Sequence, residues 1–221
     1  MVKLYRKFEN LTEEKKKRII DVCVEEFSQN GYENSSTNNI VKNAGISKGI
    51  LFHYFGNKKN LYLYVLDYSL EYMMEKILKM FDHNSSDIFE KIMNTGIVKL
   101  KIAYEFPQIY KFLFDAFTHI PEELKEDIQA RYNKMYQISL PVFLKDIDTS
   151  KFRKDIDVNR AIELIVLALE GVSKKYLNMF KDKSADDVLT EMENIKKEYN
   201  EYLDMLKNGI YSNKDTNTEI L

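Results

Sequence analysis

The stretch from Ser35 to Lys59, SSTNNIVKNAGISKGILFHYFGNKK, admits few folds, because its spacing reads as two short helices around a sharp turn. From Thr37 to Ala44 the apolar Ile40, Val41 and Ala44 share one helical face, and Ser35, Ser36 and Thr37 stand in front as N-cap candidates. Gly45 follows where a helix end calls for a left-handed backbone, and Ser47 is placed to cap a second helix from Lys48 to about Phe55. Ile46 is the apolar plug of the turn. In such a helix-turn-helix the second helix presents Lys48, Gly49, Ile50, Phe52 and His53 outward, and turns Leu51 and Phe55, four apart, inward.

The rest of the chain fits an all-α fold, since 221 residues hold only 7 Gly and 3 Pro and show no useful alternating strand. Residues 1 to 10 read as a frayed terminus rather than an arm for a minor groove. A first helix is expected from Thr12, its N-cap, to Gln29, with an inward stripe of Ile20, Cys23, Val24 and Phe27, ended by Asn30-Gly31 with Tyr32 packed back over the core. Gly56-Asn57 precedes a connecting helix at 58–81, and Asp82 to Ser86 is the next break, with Ser86 capping a helix at 87–104. Pro107 and Pro121 open helices at 107–117 and 121–147, the second kinked or broken at Pro141. Asp157 caps an apolar helix at 158–180, and Ser184 with Asp187 forms a capping box for a last helix at 184–207. Asn208-Gly209 ends it, and the tail is expected to be disordered. The expected domains are residues 1–56, three helices with the helix-turn-helix; residues 57–207, a larger helical body; and the tail, 208–221.

Charge separates the same two parts. Up to Asn60 there are eleven Lys or Arg against seven Asp or Glu, and after it 22 against 28, so a basic end precedes an acidic body. That split suits a domain that meets phosphate, carried by a body that does not. The single cysteine, Cys23, falls on a core face and fits a reducing compartment. The N-terminus has no signal-peptide pattern, and the longest apolar run, Ala161 to Val172, is interrupted by Glu163 and Glu170 and too short to span a bilayer. A soluble, cytoplasmic protein is expected, with no membrane partner.

Phe27, Gly31-Tyr32, Ile40, Ala44 to Gly49, Leu51 to Phe55, Lys58 and Leu61 agree in order and spacing with the N-terminal domain of TetR-family transcriptional regulators, and the chain resembles that family over about its first quarter. The resemblance implies that Lys48, Gly49, Ile50 and Phe52 meet base edges, that Thr37, His53, Tyr54 and Lys58 meet the DNA backbone, and that Asn38 meets either. Gly49 also lets the backbone approach the major-groove floor, and Ile50 and Phe52 offer apolar contact to thymine methyl groups. Phe52 stands where tyrosine is more usual, so no hydroxyl acts there. Read singly, Tyr54 is a core-edge aromatic, Lys58 a solvated helix start and His53 a surface histidine.

The resemblance further implies a homodimer through the helices at about 158–180 and 184–207, a palindromic double-stranded DNA operator, and a small-molecule effector that releases a repressor. The stretch YEFPQIYKFLFDAF is dense in aromatics, of which Phe112, Leu113 and Phe117 read mainly as core. Tyr104, Phe106, Tyr110, Phe114 and Phe117 are the candidates to line a site for a hydrophobic effector among the helices from 87–104 to 158–180, where binding shifts the connecting helix. No catalytic motif is present, His53, His83 and His119 form no metal-binding pattern, and no cofactor is expected. The alternatives are a helical carrier or enzyme with an incidental helix-turn-helix, or a DNA-binding regulator without a ligand.

Overall fold

The computed structural model describes residues 5–80, 85–180 and 183–212. Regular structure among them is helical: α1 (Arg6–Glu9), α2 (Glu13–Asn34), α3 (Thr37–Ala44), α4 (Lys48–Phe55), α5 (Lys58–Met80), α6 (Ile88–Glu105), α7 (Pro107–Thr118), α8 (Lys125–Leu144), α9 (Val158–Phe180), α10 (Ala185–Thr190) and α11 (Met192–Ile210). A 3-10 turn at Glu122–Leu124 precedes α8, and Phe152 and Tyr211 form an isolated antiparallel bridge. The chain is all-α.

Contacts divide the chain into two compact units. One comprises the chain up to Met80 with Lys99–Gln137; the other comprises residues up to Val98 after that first segment, and Ile138 onward. The first unit is built on α2, whose inward Ile19, Ile20, Cys23, Val24 and Phe27 are buried against α3, α4, α5 and α7 in a single core. Thr12 caps α2 by accepting from the Lys15 N–H at 3.4 Å. Gly31 breaks the helical geometry of α2 at φ 65°, and a side chain there would also point at Asp115 of α7. Tyr32 packs on the same core and meets Tyr62 edge-on at 5.0 Å.

Several expectations are corrected. Residues 6 to 9 of the terminus expected to fray are helical, because Phe8 is fully buried among Tyr54, Phe55 and Tyr64, whereas residues 1–4 lie outside the described residues. Asp87, not Ser86, opens α6: its carboxylate accepts from the Phe89 and Glu90 N–H groups at 2.9 and 3.3 Å. Pro121 leads into the 3-10 turn instead of a helix, and Pro141 lies inside α8 without breaking it. The expected end of the connecting helix at Phe81, and Asp82 to Asn84 of the expected break, lie outside the described residues.

The second unit buries Ile88, Phe89, Ile92, Phe152, Ala161, Ile165, Leu203, Ile210 and Tyr211 together. Asp157 caps α9 through the Arg160 N–H at 3.0 Å, and the Ser184/Asp187 capping box is made in both directions. The last helix is interrupted at Glu191, whose φ −90° and ψ −1° separate α10 from α11. Gly209 does not end α11. The helix continues to Ile210, and Tyr211 and Ser212, expected in a disordered tail, are held by Arg153 N–H to Ile210 carbonyl and Ser212 N–H to Lys151 carbonyl bonds, each 2.9 Å. Residues 213–221 lie outside the described residues. No helix among the described residues is long and apolar enough to cross a membrane.

Candidate nucleic-acid interface

Local chemistry fixes both helices of the motif. The Ser36 hydroxyl accepts from the Asn39 N–H at 3.4 Å at the start of α3, and the buried Glu26 carboxylate of α2 accepts from the Ser36 N–H at 2.7 Å. Gly45 takes φ 64° and ψ 39°, and the Ile46 N–H to Val41 carbonyl and Gly45 N–H to Lys42 carbonyl bonds close the helix end in a Schellman arrangement. Ser47 then caps α4, its hydroxyl accepting from the Ile50 N–H at 3.2 Å.

Leu51 and Phe55 are fully buried, and the rings of Tyr5, Phe8 and Tyr64 lie 5.9, 4.8 and 5.3 Å from that of Phe55. This anchoring turns the opposite face of α4 outward. Lys48, Gly49, Ile50 and His53 are exposed and Phe52 is half-exposed, with the Lys48 ammonium 6.0 Å from the Phe52 ring. Ile50 is 40% exposed. A Cβ built on Gly49 would meet only the Ser47 hydroxyl, at 3.9 Å, so the chain's own packing does not require glycine there.

The remaining candidates differ in setting. Thr37 and Asn38 occupy the first turn of α3, Asn38 exposed and Thr37 partly so. Tyr54 is half-buried and meets Phe8 edge-on at 5.6 Å, so its ring belongs to the edge of the core. Lys58 donates to the Glu33 carbonyl at 3.0 Å and sits 5.0 Å from the Tyr32 ring; burial first, opposed by Glu123, Glu26 and Glu33, leaves its pKa lowered. Glu26 was missed by sequence reasoning. Its signal is a carboxylate in the inward phase of α2, between Cys23 and Phe27, where only a partnered charge is tolerated.

The aromatic residues of the body are partly gathered. Tyr110 and Phe114 lie 6.1 Å apart on α7, Phe114 meets His119 at 6.4 Å, and Phe117 meets Tyr132 of α8 at 6.1 Å while also packing on the core. Phe106 packs edge-on against Tyr72 at 5.3 Å, with the Lys76 ammonium 5.2 Å from both rings. Tyr104 is 64% exposed. Phe112 and Leu113 are buried core residues. Cys23 is buried, and burial pushes its thiol well above the ordinary range. Among the described residues no group of His, Cys, Asp or Glu could hold a metal ion.

An all-α chain with a capped helix-turn-helix, and a second helix turned outward, belongs to the class of helix-turn-helix DNA-binding proteins. Residues 19–65 match the sequence model of bacterial regulatory proteins of the tetR family. The chain is 24% identical over 179 residues, 76% of its own length and 93% of the other's, to IcaR of Staphylococcus epidermidis, the negative transcriptional regulator of the icaADBC biofilm operon. It shares its fold with a TetR family regulator of Chloroflexus aurantiacus (TM-score 0.54, 22% identity, 94% and 98% of the two chains) and with FadR of Bacillus subtilis, solved with stearoyl-CoA (TM-score 0.54, 18% identity, 88% and 99%). Residues 19–65 thus resemble the DNA-binding domain of TetR-family transcriptional regulators, and the chain as a whole shares the fold of solved members of that family.

Proposed function

We propose that the protein is a dimeric repressor that binds a palindromic operator through α4 and is released by a small hydrophobic effector. The observation that carries the DNA reading is the outward face of α4, where Lys48, Gly49, Ile50, Phe52 and His53 stand clear of the core that Leu51 and Phe55 anchor. Lys48, Gly49, Ile50 and Phe52 read base edges; Thr37, His53, Tyr54 and Lys58 engage the backbone, with Asn38 beside them. For Lys58 this means exchanging the Glu33 carbonyl for a phosphate oxygen. The name of the Staphylococcus epidermidis relative, a negative regulator, supports repression.

Dimerisation is supported by α9 and α11. Leu164, Leu167 and Met205 are 52%, 57% and 69% exposed, and between these helices lies an apolar groove of about 230 Å³ lined by residues that include Ala168, Val172, Tyr202 and Leu206. A face of this kind is covered in a stable assembly. For the effector, α7 presents Tyr110, Phe114 and Phe117 beside its core-facing residues, a surface suited to an apolar or aromatic ligand acting in the cytoplasm.

Operator sites selected by the protein from random duplexes are expected to be palindromic. Lys48→Ala is expected to weaken their binding by about 1–3 kcal/mol and to blur preference at one or two base pairs. Adding hydrophobic compounds to the complex, followed by fluorescence anisotropy, is expected to identify one that releases the DNA. Equal affinity of Lys48→Ala and wild type for every duplex would remove α4 from the readout.

A further inference from the structure

The start of α5 follows the recognition helix almost at once, and it is tied to α8 by an alternating row of charges. The Lys59 ammonium lies 2.8 Å from the Asp127 carboxylate and also donates to the Glu123 carbonyl at 3.0 Å. Arg131, one helical turn along α8, donates to the Asp127 carbonyl at 3.0 Å and lies 3.9 Å from its carboxylate. The same guanidinium grips Asp67, two turns along α5, through two bonds of 2.7 and 2.9 Å. Lys59, Asp127, Arg131 and Asp67 therefore alternate in sign along the two helices. The outer pair is half-exposed; the Arg131 and Asp67 side chains are only 20% and 17% exposed. Tyr5 lies over this region, its hydroxyl pushed up by burial and by the neighbouring Asp67 charge. Tyr32, at the end of α2, is raised by burial and by the neighbouring Glu123 carboxylate.

We infer that Lys59 and Asp127 are positioning residues for DNA reading: their ion pair fixes the start of α5, and with it α4, in the geometry that enters the groove. The inference rests on the DNA-binding role of α4. Adjacent lysines then have different tasks, Lys58 meeting phosphate and Lys59 holding the scaffold. A helix start released from α8 samples more orientations, and apparent affinity falls with the fraction that is competent. This opposes the simple field effect, because removing the Asp127 carboxylate makes the protein more positive and should by itself favour DNA.

The test uses Lys59→Gln, Asp127→Asn and the double variant, with helix content confirmed by circular dichroism, on a duplex selected by the wild-type protein. Binding is measured by anisotropy over a range of salt concentrations. Each variant is expected to bind about fivefold more weakly or worse, with the wild-type salt slope, and the double variant no more weakly than the worse single one. Lys58→Ala, in contrast, is expected to lower the salt slope by about one. Asp127→Asn binding as tightly as wild type or tighter, a lowered salt slope for Lys59→Gln, or additive losses in the double variant would overturn the inference. Should Asp127→Asn not fold, the affinity and slope of Lys59→Gln decide alone. Wild-type protein that selects no duplex would instead refute the DNA-reading role itself.

Discussion

Gly49 separates the needs of the fold from those of the function at a single atom. Nothing in the chain crowds its missing Cβ, and glycine inside a helix costs roughly 0.5–1 kcal/mol relative to alanine. Gly49→Ala is therefore expected to raise resistance to urea by that order while weakening operator binding, since the added methyl group stands on the face that enters the groove. Equal or stronger DNA binding by this variant would place the groove contact elsewhere. Gly45 is the opposite case, a glycine the fold itself requires, because its φ of 64° closes α3 and sets the turn into α4.

Asp87 shows how one capping residue can organise an element. Burial pulls its carboxyl upward, but Lys151 at 2.8 Å and the backbone N–H groups at the start of α6 more than offset this, leaving it below its ordinary value of 3.8. A carboxyl lowered in the folded state contributes stability above its unfolded pKa and loses it as pH falls through the folded one. Urea unfolding of the wild type is expected to show that loss below about pH 4, and Asp87→Asn to be less stable at pH 7 and to lack this component; parallel pH profiles would contradict the assignment. The same cluster explains what was legible in the sequence. Thr12, Ser47, Asp157 and Ser184 cap helices through partners within three residues, so their spacing alone locates the starts of α2, α4, α9 and α10, whereas Ser36 is one of three neighbouring candidates for α3. Asp87 satisfies the same rule, but the sequence reading places the cap on Ser86, because the tie of Asp87 to Lys151 needs the folded chain. Tyr211 was not legible, because its burial depends on Phe89 and Phe152, 5.2 and 5.5 Å away but remote in sequence. Of the interface, the α4 face could be read from phase, whereas the ties of Lys58 to Glu33 and of Glu26 to Ser36 needed the folded chain.

At the scale of the whole molecule the proposed reading of a palindromic operator requires two copies. Leu167, more than half exposed on α9, belongs to the apolar surface that the proposed dimer covers. Leu167→Glu is expected to yield monomers in sedimentation equilibrium without loss of helix content, and to abolish tight operator binding; an unchanged dimer would move the interface to another surface. The acidic balance after Asn60 leaves the basic reading end as the part of the chain that attracts phosphate. Hydroxyl-radical footprinting of the wild-type protein on a selected duplex tests the central claim most directly. The expected result is two symmetric protected patches whose centres lie about one or two turns of DNA apart, both needing several-fold more Lys48→Ala protein than wild type to appear. A single asymmetric patch, or a footprint that Lys48→Ala leaves intact, would contradict it.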